Sequence, residues 1–258
     1  MNTFNYPSVI FGTHKISVEA IKYALQMGYT MVDTATGYNN DTDIQQAIIS
    51  TNKYPQILTK FNQNDFKDGN MGTAIHNHCK TTGILEKNKH ILLLHSSMPS
   101  SEENIIALKK LKELMPDQKY GISNFSIKQI QYLIDNDCKP DVISLEFNPY
   151  YQPNRLVAFC HEHKIVVTGY RPTSKGKIFT DPTIKNIAMK HNTTIGKVVL
   201  KWISLKNIIP IVSSNKKENI IDNLIFDNVA LDESDINEIN KLNTNTATCM
   251  TKFCEHDE

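Results

Sequence analysis

The 258-residue chain carries 28 Lys and Arg against 27 Asp and Glu, a net charge of +1, and the basic residues are scattered. This balance excludes the cationic stripe of a nucleic-acid binder and the polybasic patch of a membrane-surface protein. Five cysteines, Cys79, Cys138, Cys160, Cys249 and Cys254, form no paired framework. With no secretory apolar segment after Met1 and no apolar run near membrane length, the sequence reads as a soluble cytoplasmic protein whose partner is a small molecule.

Strand-like runs recur along the chain at 8–12 (SVIFG), 30–34 (TMVDT), 56–60 (QILTK), 90–95 (HILLLH), 118–122 (QKYGI), 141–147 (DVISLEF), 164–170 (KIVVTGY) and 207–213 (NIIPIVS). HILLLH is apolar without alternation, as a strand covered on both faces should be. Between the runs lie helix signals. Ser17 can cap a helix with Val18, Ile21 and Leu25 facing inward until Gly28 ends it. Ser100 and Glu103 make a capping box ahead of Ile105, Leu108, Leu111 and Met115, and Pro116 stops the stripe. Thr193 or Thr194 precedes Ile195, Val198, Val199 and Trp202, and Asp232 precedes Ile236 and Ile239.

Eight runs with helices between them predict repeated βα units and a single (β/α)8 barrel over residues 1–243, followed by a polar C-terminal tail at 244–258. Pro210 inside the eighth run removes a ladder donor, and a place at the strand's first position would accommodate it. The ten glycines contain no G-x-G pair, so both the Rossmann fingerprint and the P-loop are absent.

Barrel chemistry gathers where the strands end, and four residues stand at or just beyond such ends: Asp33, Tyr38, Lys60 and His95. Taken singly each is ordinary: a turn cap, a packing residue, a solvated amine, a core histidine. Together they can move a proton and steady a developing alkoxide, as carbonyl reduction requires. Burying Asp33 with Lys60 for no chemical purpose would incur desolvation for little gain. Other clusters are weaker. His161 and His163, like His76 and His78, are two apart and point to different sides of a helix. Cys249, Cys254 and His256 sit in the polar tail, so no metal is expected.

The segments GYTMVDTATGY at 28–38, ILTKF at 57–61, LLLHSS at 92–97, YGISNF at 120–125, EFNPYYQ at 146–152 and GYRPTSKGK at 169–177 occur in order. With 181–202 and SSNKKENIIDNL at 213–224, they give the chain a resemblance to the aldo-keto reductase family over nearly its whole length. The resemblance implies reversible reduction of an aldehyde or ketone with NADP(H) or NAD(H), without metal or flavin. Tyr38 would be the general acid, Lys60 its cationic neighbour, Asp33 the partner of Lys60, and His95 the group that orients the carbonyl. Taking a phenol from about 10 to near 7 needs roughly 4 kcal/mol, and an ammonium about 4 Å away at an effective dielectric of about 20 supplies roughly that.

The implied cofactor contacts are uneven. Ser123 and Asn124 match the pair that holds the nicotinamide carboxamide, and Tyr170 the ring on which the nicotinamide stacks. Ser144 stands where the family commonly has glutamine. Ser213 and Asn219 stand where it usually has a lysine and an arginine for the 2′-phosphate. Ser214, Asp222 and Asn223 match positions near the phosphate and adenine, Lys216 and Lys217 are alternative cations, and Arg171 is placed to reach the pyrophosphate. Reduced discrimination between NADPH and NADH is expected. Some family relatives bind nicotinamide mainly as regulatory subunits, an alternative that the complete tetrad disfavours. A Schiff-base lyase built on Lys60 is a further one. The expected state is monomer or weak oligomer.

Overall fold

The computed structural model describes residues 4–66, 71–83 and 90–249. Eight parallel strands close into a barrel in chain order: β1 (Ile10–Gly12), β2 (Met31–Ala35), β3 (Gln56–Phe61), β4 (Ile91–Leu94), β5 (Lys119–Ser123), β6 (Val142–Glu146), β7 (Val166–Tyr170) and β8 (Ile208–Val212). Helices α1 (Val18–Met27), α2 (Asp41–Thr51), α3 (Met71–Thr81), α4 (Ser101–Leu114), α5 (Ile127–Asp135) and α6 (Asn154–Glu162) each follow a strand. Two helices, α7 (Pro182–Lys190) and α8 (Ile195–Ser204), separate β7 from β8, and α9 (Lys217–Leu224) and α10 (Glu233–Asn240) follow β8.

The helix starts obey the capping chemistry of the sequence. Ser17 accepts from Ala20 N, Thr194 from Lys197 N, and Ser100 with Glu103 forms the reciprocal capping box. Asp232 caps α10 and is capped in return by Asp235. Gly28 ends α1 at φ 109°, a left-handed conformation that costs glycine little.

Alternation along the strands sorts their side chains into two sets. One set, including Phe11, Val32, Ile57, Leu92, Ile122 and Val167, packs into a large apolar layer with helix residues such as Ile21, Leu108 and Trp202. The other, Ile10, Met31, Leu58, Ile91, Leu93, Val142 and Ile211, forms a small separate cluster filling the barrel. A Cβ on Gly121 would fall 2.1 Å from the Val142 carbonyl oxygen, so this contact between β5 and β6 requires glycine.

Pro210 is not the first residue of its strand. It lies mid-β8, opposite Gly169, at the point where pairing passes from β7 (Val167, Thr168 and Gly169 against Ile208, Ile209 and Pro210) to β1 (Ile10 against Ile211). The missing donor therefore falls at the handover between two ladders.

The described part of the C-terminal segment crosses back over the barrel. Thr244 N and Thr246 N donate to the Tyr150 carbonyl at 3.1 and 3.2 Å. Thr248 N and Cys249 N donate to the two oxygens of Glu146, a buried carboxylate at the end of β6. Cys254 and His256 lie outside the described residues.

Candidate active site

The interior set of side chains continues upward by steps of two. Met31 leads to Asp33, Leu58 to Lys60, Leu93 to His95 and Val142 to Ser144, so these polar groups occupy the layer directly above the apolar plug. Register keeps them adjacent, with Leu58 opposite Asp33 and Leu93 opposite Lys60. Tyr38 comes from a 3-10 turn at Thr36–Tyr38 immediately after β2. A cavity of about 870 Å³ at the C-terminal mouth is lined by all four of Asp33, Tyr38, Lys60 and His95.

The Lys60 ammonium donates to Asp33 Oδ1 and, at 2.9 Å, to the Thr34 carbonyl. Both side chains are almost fully buried. Burial lowers the Lys60 pKa and raises that of Asp33, while their mutual attraction opposes both shifts. Lys60 Nζ lies 5.3 Å from the centre of the Tyr38 ring, and the Tyr38 and His95 rings meet edge to face at 6.1 Å. The Tyr38 hydroxyl has no protein hydrogen-bond partner among the described residues. The imidazole of His95 is pushed down to about 4, first by burial and then by Lys60 and His14, and is neutral at physiological pH.

The phenol is not depressed as the sequence argument expects. Tyr38 is raised, first by burial and then by the Asp33 carboxylate, with Arg171 pulling in the opposite direction. The loss of solvent around the phenol outweighs every charge, and the Asp33 carboxylate adds to it by opposing a second negative charge nearby. A raised pKa keeps the proton on Tyr38, which is the state a proton donor needs.

The cofactor positions divide into two groups. Ser123, Asn124, Tyr170 and Arg171 line the cavity near the tetrad, and Ser213, Asn219, Asp222 and Asn223 line its far end. Asn124 adopts a left-handed φ of 62°, and its Oδ1 accepts from the Tyr170 hydroxyl at 2.5 Å. Ser144, paired with Ser123 across β5 and β6, is completely buried, and its hydroxyl has no partner among the described residues. On the cavity wall, the carboxamide of Asn124 and the hydroxyl of Ser123 offer donors and acceptors of the kind that a nicotinamide carboxamide pairs with, so the residues present fit that group.

At the far end Asp222 is bound to Lys197 at 3.0 Å, and Ser214 Oγ accepts from Lys216 N at 3.0 Å. Ser214 and Ser144 are the two expected contacts that do not line the cavity. Lys217 places its ammonium 5.0 Å from the Tyr23 ring centre, and neither it nor Lys216 lines the cavity. Arg171 lines the cavity but donates to Thr248 Oγ1 at 3.1 Å and lies 3.9 Å from Glu146, so it is held by the C-terminal segment. His78 bridges Asp41 and Thr59. Among the described residues no group of three or more His, Cys, Asp or Glu could hold a metal ion.

Among the polar lining residues that the sequence reading missed, three carry a titratable or amide group: His14, Asn62 and Lys175. His14 packs on Tyr38 with ring centres 4.6 Å apart. Two of the three were legible, since Asn62 follows Lys60, and His14 follows Gly12, at the same two-residue step that brings Asp33 above Met31.

A model of the aldo/keto reductase family matches residues 13–244. The chain belongs to this family. It is an oxidoreductase that reduces an aldehyde or ketone with the NADP(H) that aldo/keto reductases use. The methylglyoxal reductase DkgB of Escherichia coli O157:H7 is 31% identical, the match covering 93% of this chain and 94% of that protein. Among solved structures, the aldo-keto reductase MGS-M4 from a Medee basin deep-sea metagenome library superposes with a TM-score of 0.88 at 25% identity, covering 98% of this chain and 96% of its own. A mutant of Gox0644, solved in complex with NADPH, shares the fold at 24% identity and a TM-score of 0.83, covering 92% of this chain and 89% of that one.

Proposed function

We propose that this reductase acts on small, polar aldehydes and ketones, 2-oxoaldehydes among them, with Tyr38 as the proton donor. The observation that carries the reading is the shared mouth, where the free hydroxyl of Tyr38 stands beside the buried Lys60–Asp33 pair and the His95 imidazole. Tyr38 delivers its proton to the carbonyl oxygen. Lys60 stabilises the phenolate left behind, and Asp33 keeps the ammonium aimed and charged. His95 positions the substrate. Bound NADP(H) supplies hydride from C4 of its nicotinamide.

Ser123, Asn124 and Ser144 would hold the carboxamide and Tyr170 the ring face. Arg171, Ser213, Ser214, Asn219, Asp222 and Asn223 would follow the rest of the dinucleotide. The substrate class is supported by the polar surroundings of Tyr38, among them His14, Asn62, Ser96 and Arg171. Ser97 and Met98 fold inward behind Ser96, so no bulky wall rises there. The methylglyoxal reductase named above supports the same class. Residues 1–243 would form the catalytic domain and the tail from Thr244 its cover. The protein would work in the cytoplasm as a monomer or weak oligomer with no nucleic-acid or membrane partner. Its near-neutral charge and the free thiols of Cys79, Cys138, Cys160 and Cys249 support this placement, and no described helix is long and apolar enough to cross a membrane.

The test is loss of NADPH absorbance across matched carbonyls. Small polar aldehydes should be consumed with the highest kcat/KM. A preference for bulky apolar ketones would contradict the proposed class.

A further inference from the structure

The orientation of His95 is set by a chain of groups that conventional roles for the site do not use. Thr36, in the turn that carries Tyr38, places its hydroxyl 2.5 Å from Asp65 Oδ2. Its next acceptor, the Lys60 carbonyl, lies at 3.4 Å. Neither a carboxylate nor a carbonyl can donate, so the single hydroxyl hydrogen of Thr36 points at one of them and its oxygen faces the remaining neighbour as an acceptor. That neighbour is Asn62, whose Nδ2 donates to Thr36 Oγ1 at 3.1 Å.

Fixing the amide at one end fixes it at the other. Asn62 Oδ1 faces His95 Nδ1 at 2.9 Å, and a carbonyl oxygen can only accept, so Nδ1 carries the proton. The amide is also held in place. Asp65 Oδ2 accepts from Asn62 N at 2.7 Å, and the space beside Nδ2 exists because Gly37 has no side chain, a Cβ there falling 2.8 Å from that nitrogen. The second ring nitrogen, Nε2, has no protein partner among the described residues, and His95 lines the cavity beside Tyr38.

We propose that Asp65, Thr36 and Asn62 form a positioning relay that holds His95 as its Nδ1–H tautomer, so that Nε2 meets the substrate as a hydrogen-bond acceptor. The ring stays neutral in this site because burial and Lys60 disfavour its charged form. An acceptor lone pair beside a carbonyl oxygen repels it, whereas it attracts a hydroxyl on the adjacent carbon. The preferred substrates are therefore carbonyl compounds bearing a donor next to the reacting carbon, a 2-hydroxyaldehyde or the hydrate of a 2-oxoaldehyde. This inference rests on the reading of Tyr38 as the proton donor facing the same cavity. It narrows the role of His95 from orienting the carbonyl itself to orienting its neighbour.

The decisive measurement is the long-range 1H–15N spectrum of the imidazole of His95 in the full-length 15N-labelled protein near pH 7, with a His95→Gln sample to assign the signals. The expected spectrum shows a protonated Nδ1 and a bare Nε2. Thr36→Ser, which keeps the hydroxyl, should leave it unchanged, whereas Thr36→Val should produce a mixture of tautomers. In parallel, the kcat/KM ratio for glyceraldehyde over propanal should fall about fivefold in Thr36→Val, the worth of one net hydrogen bond, and hold in Thr36→Ser. A wild-type spectrum with Nε2 protonated overturns the proposal, as does a Thr36→Val spectrum identical to wild type. No NADPH consumption on any carbonyl, with the expected spectrum, would instead sink the reading of Tyr38 and leave the relay standing.

Discussion

The two ends of the cavity are built differently. At the end formed by β2, β3 and β4, the groups around the Tyr38 hydroxyl are buried or half-buried and each has a fixed partner: Asp33 with Lys60, Lys60 with the Thr34 carbonyl, His95 with Asn62. At the end formed by β8 and α9, Ser213 and Asn219 are exposed, Lys216 and Lys217 stand outside the cavity, and Asp222 is occupied by Lys197. Groups that must act on a reacting atom are locked into geometry by burial, whereas groups that grip a distant part of a cofactor can stay solvated and be exchanged. The difference implies that substitutions at the first end change rate and fold together, and those at the second change cofactor choice alone.

The largest expected effect breaks the first end. Lys60→Met should lower kcat by about 10³-fold. It should also destabilise the protein by about 3–5 kcal/mol, because Asp33 is left as an unpaired buried carboxylate. Adding Asp33→Leu should restore most of the stability in urea unfolding and none of the turnover. If the double variant recovered activity, the pair would be structural only.

The second end should respond in specificity. Without a directed cation at 213 or 219, the preference for NADPH over NADH in kcat/KM should stay below about a thousandfold, roughly 4 kcal/mol. Asn219→Arg should raise it about tenfold, as one charge-assisted contact to a phosphate would. An unchanged ratio would show that the 2′-phosphate lies elsewhere.

Smaller effects sharpen the boundary between the ends. Ser144→Ala removes a hydroxyl that has no protein partner, so unfolding free energy should hold or rise slightly while NADPH affinity falls about fivefold. Equal losses in both would mean that the hydroxyl already has a structural bond. The His95 pKa, pushed down to about 4 from an ordinary 6.5, gives a pH signature. Between those values the unfolded chain binds the extra proton, so stability should decline as pH falls from about 6.5 toward 4, and His95→Asn should remove that part of the slope.

The same division explains what the sequence revealed. The barrel was legible because its strands, caps and breakers are local chemistry: Ser17 and Gly28 bound α1, and Ser100, Glu103 and Pro116 bound α4. The placement of Asp33, Lys60 and His95 was legible because position along a parallel strand determines which side chains share a mouth. Pro210 was misplaced because the ladder handover in β8 depends on both neighbours at once. The raised pKa of Tyr38 was not legible because the burial of the phenol and the approach of the Asp33 carboxylate are set by how the strands pack around the ring. Lys216 and Lys217 looked available in the sequence, but helix α9 turns Lys217 onto Tyr23. The tail was read as merely polar, since nothing local reveals that Glu146 waits for the Thr248 and Cys249 amides.

The central claim is that the Tyr38 hydroxyl hands its proton to the substrate. Single-turnover oxidation of bound NADPH by Tyr38→Phe tests it most directly, with cofactor affinity measured on the same sample by fluorescence titration. The account predicts a carbonyl-reduction rate lower by about 10²–10⁴-fold with affinity within a factor of about two. A variant that reduces the carbonyl within about tenfold of the wild-type rate would contradict it.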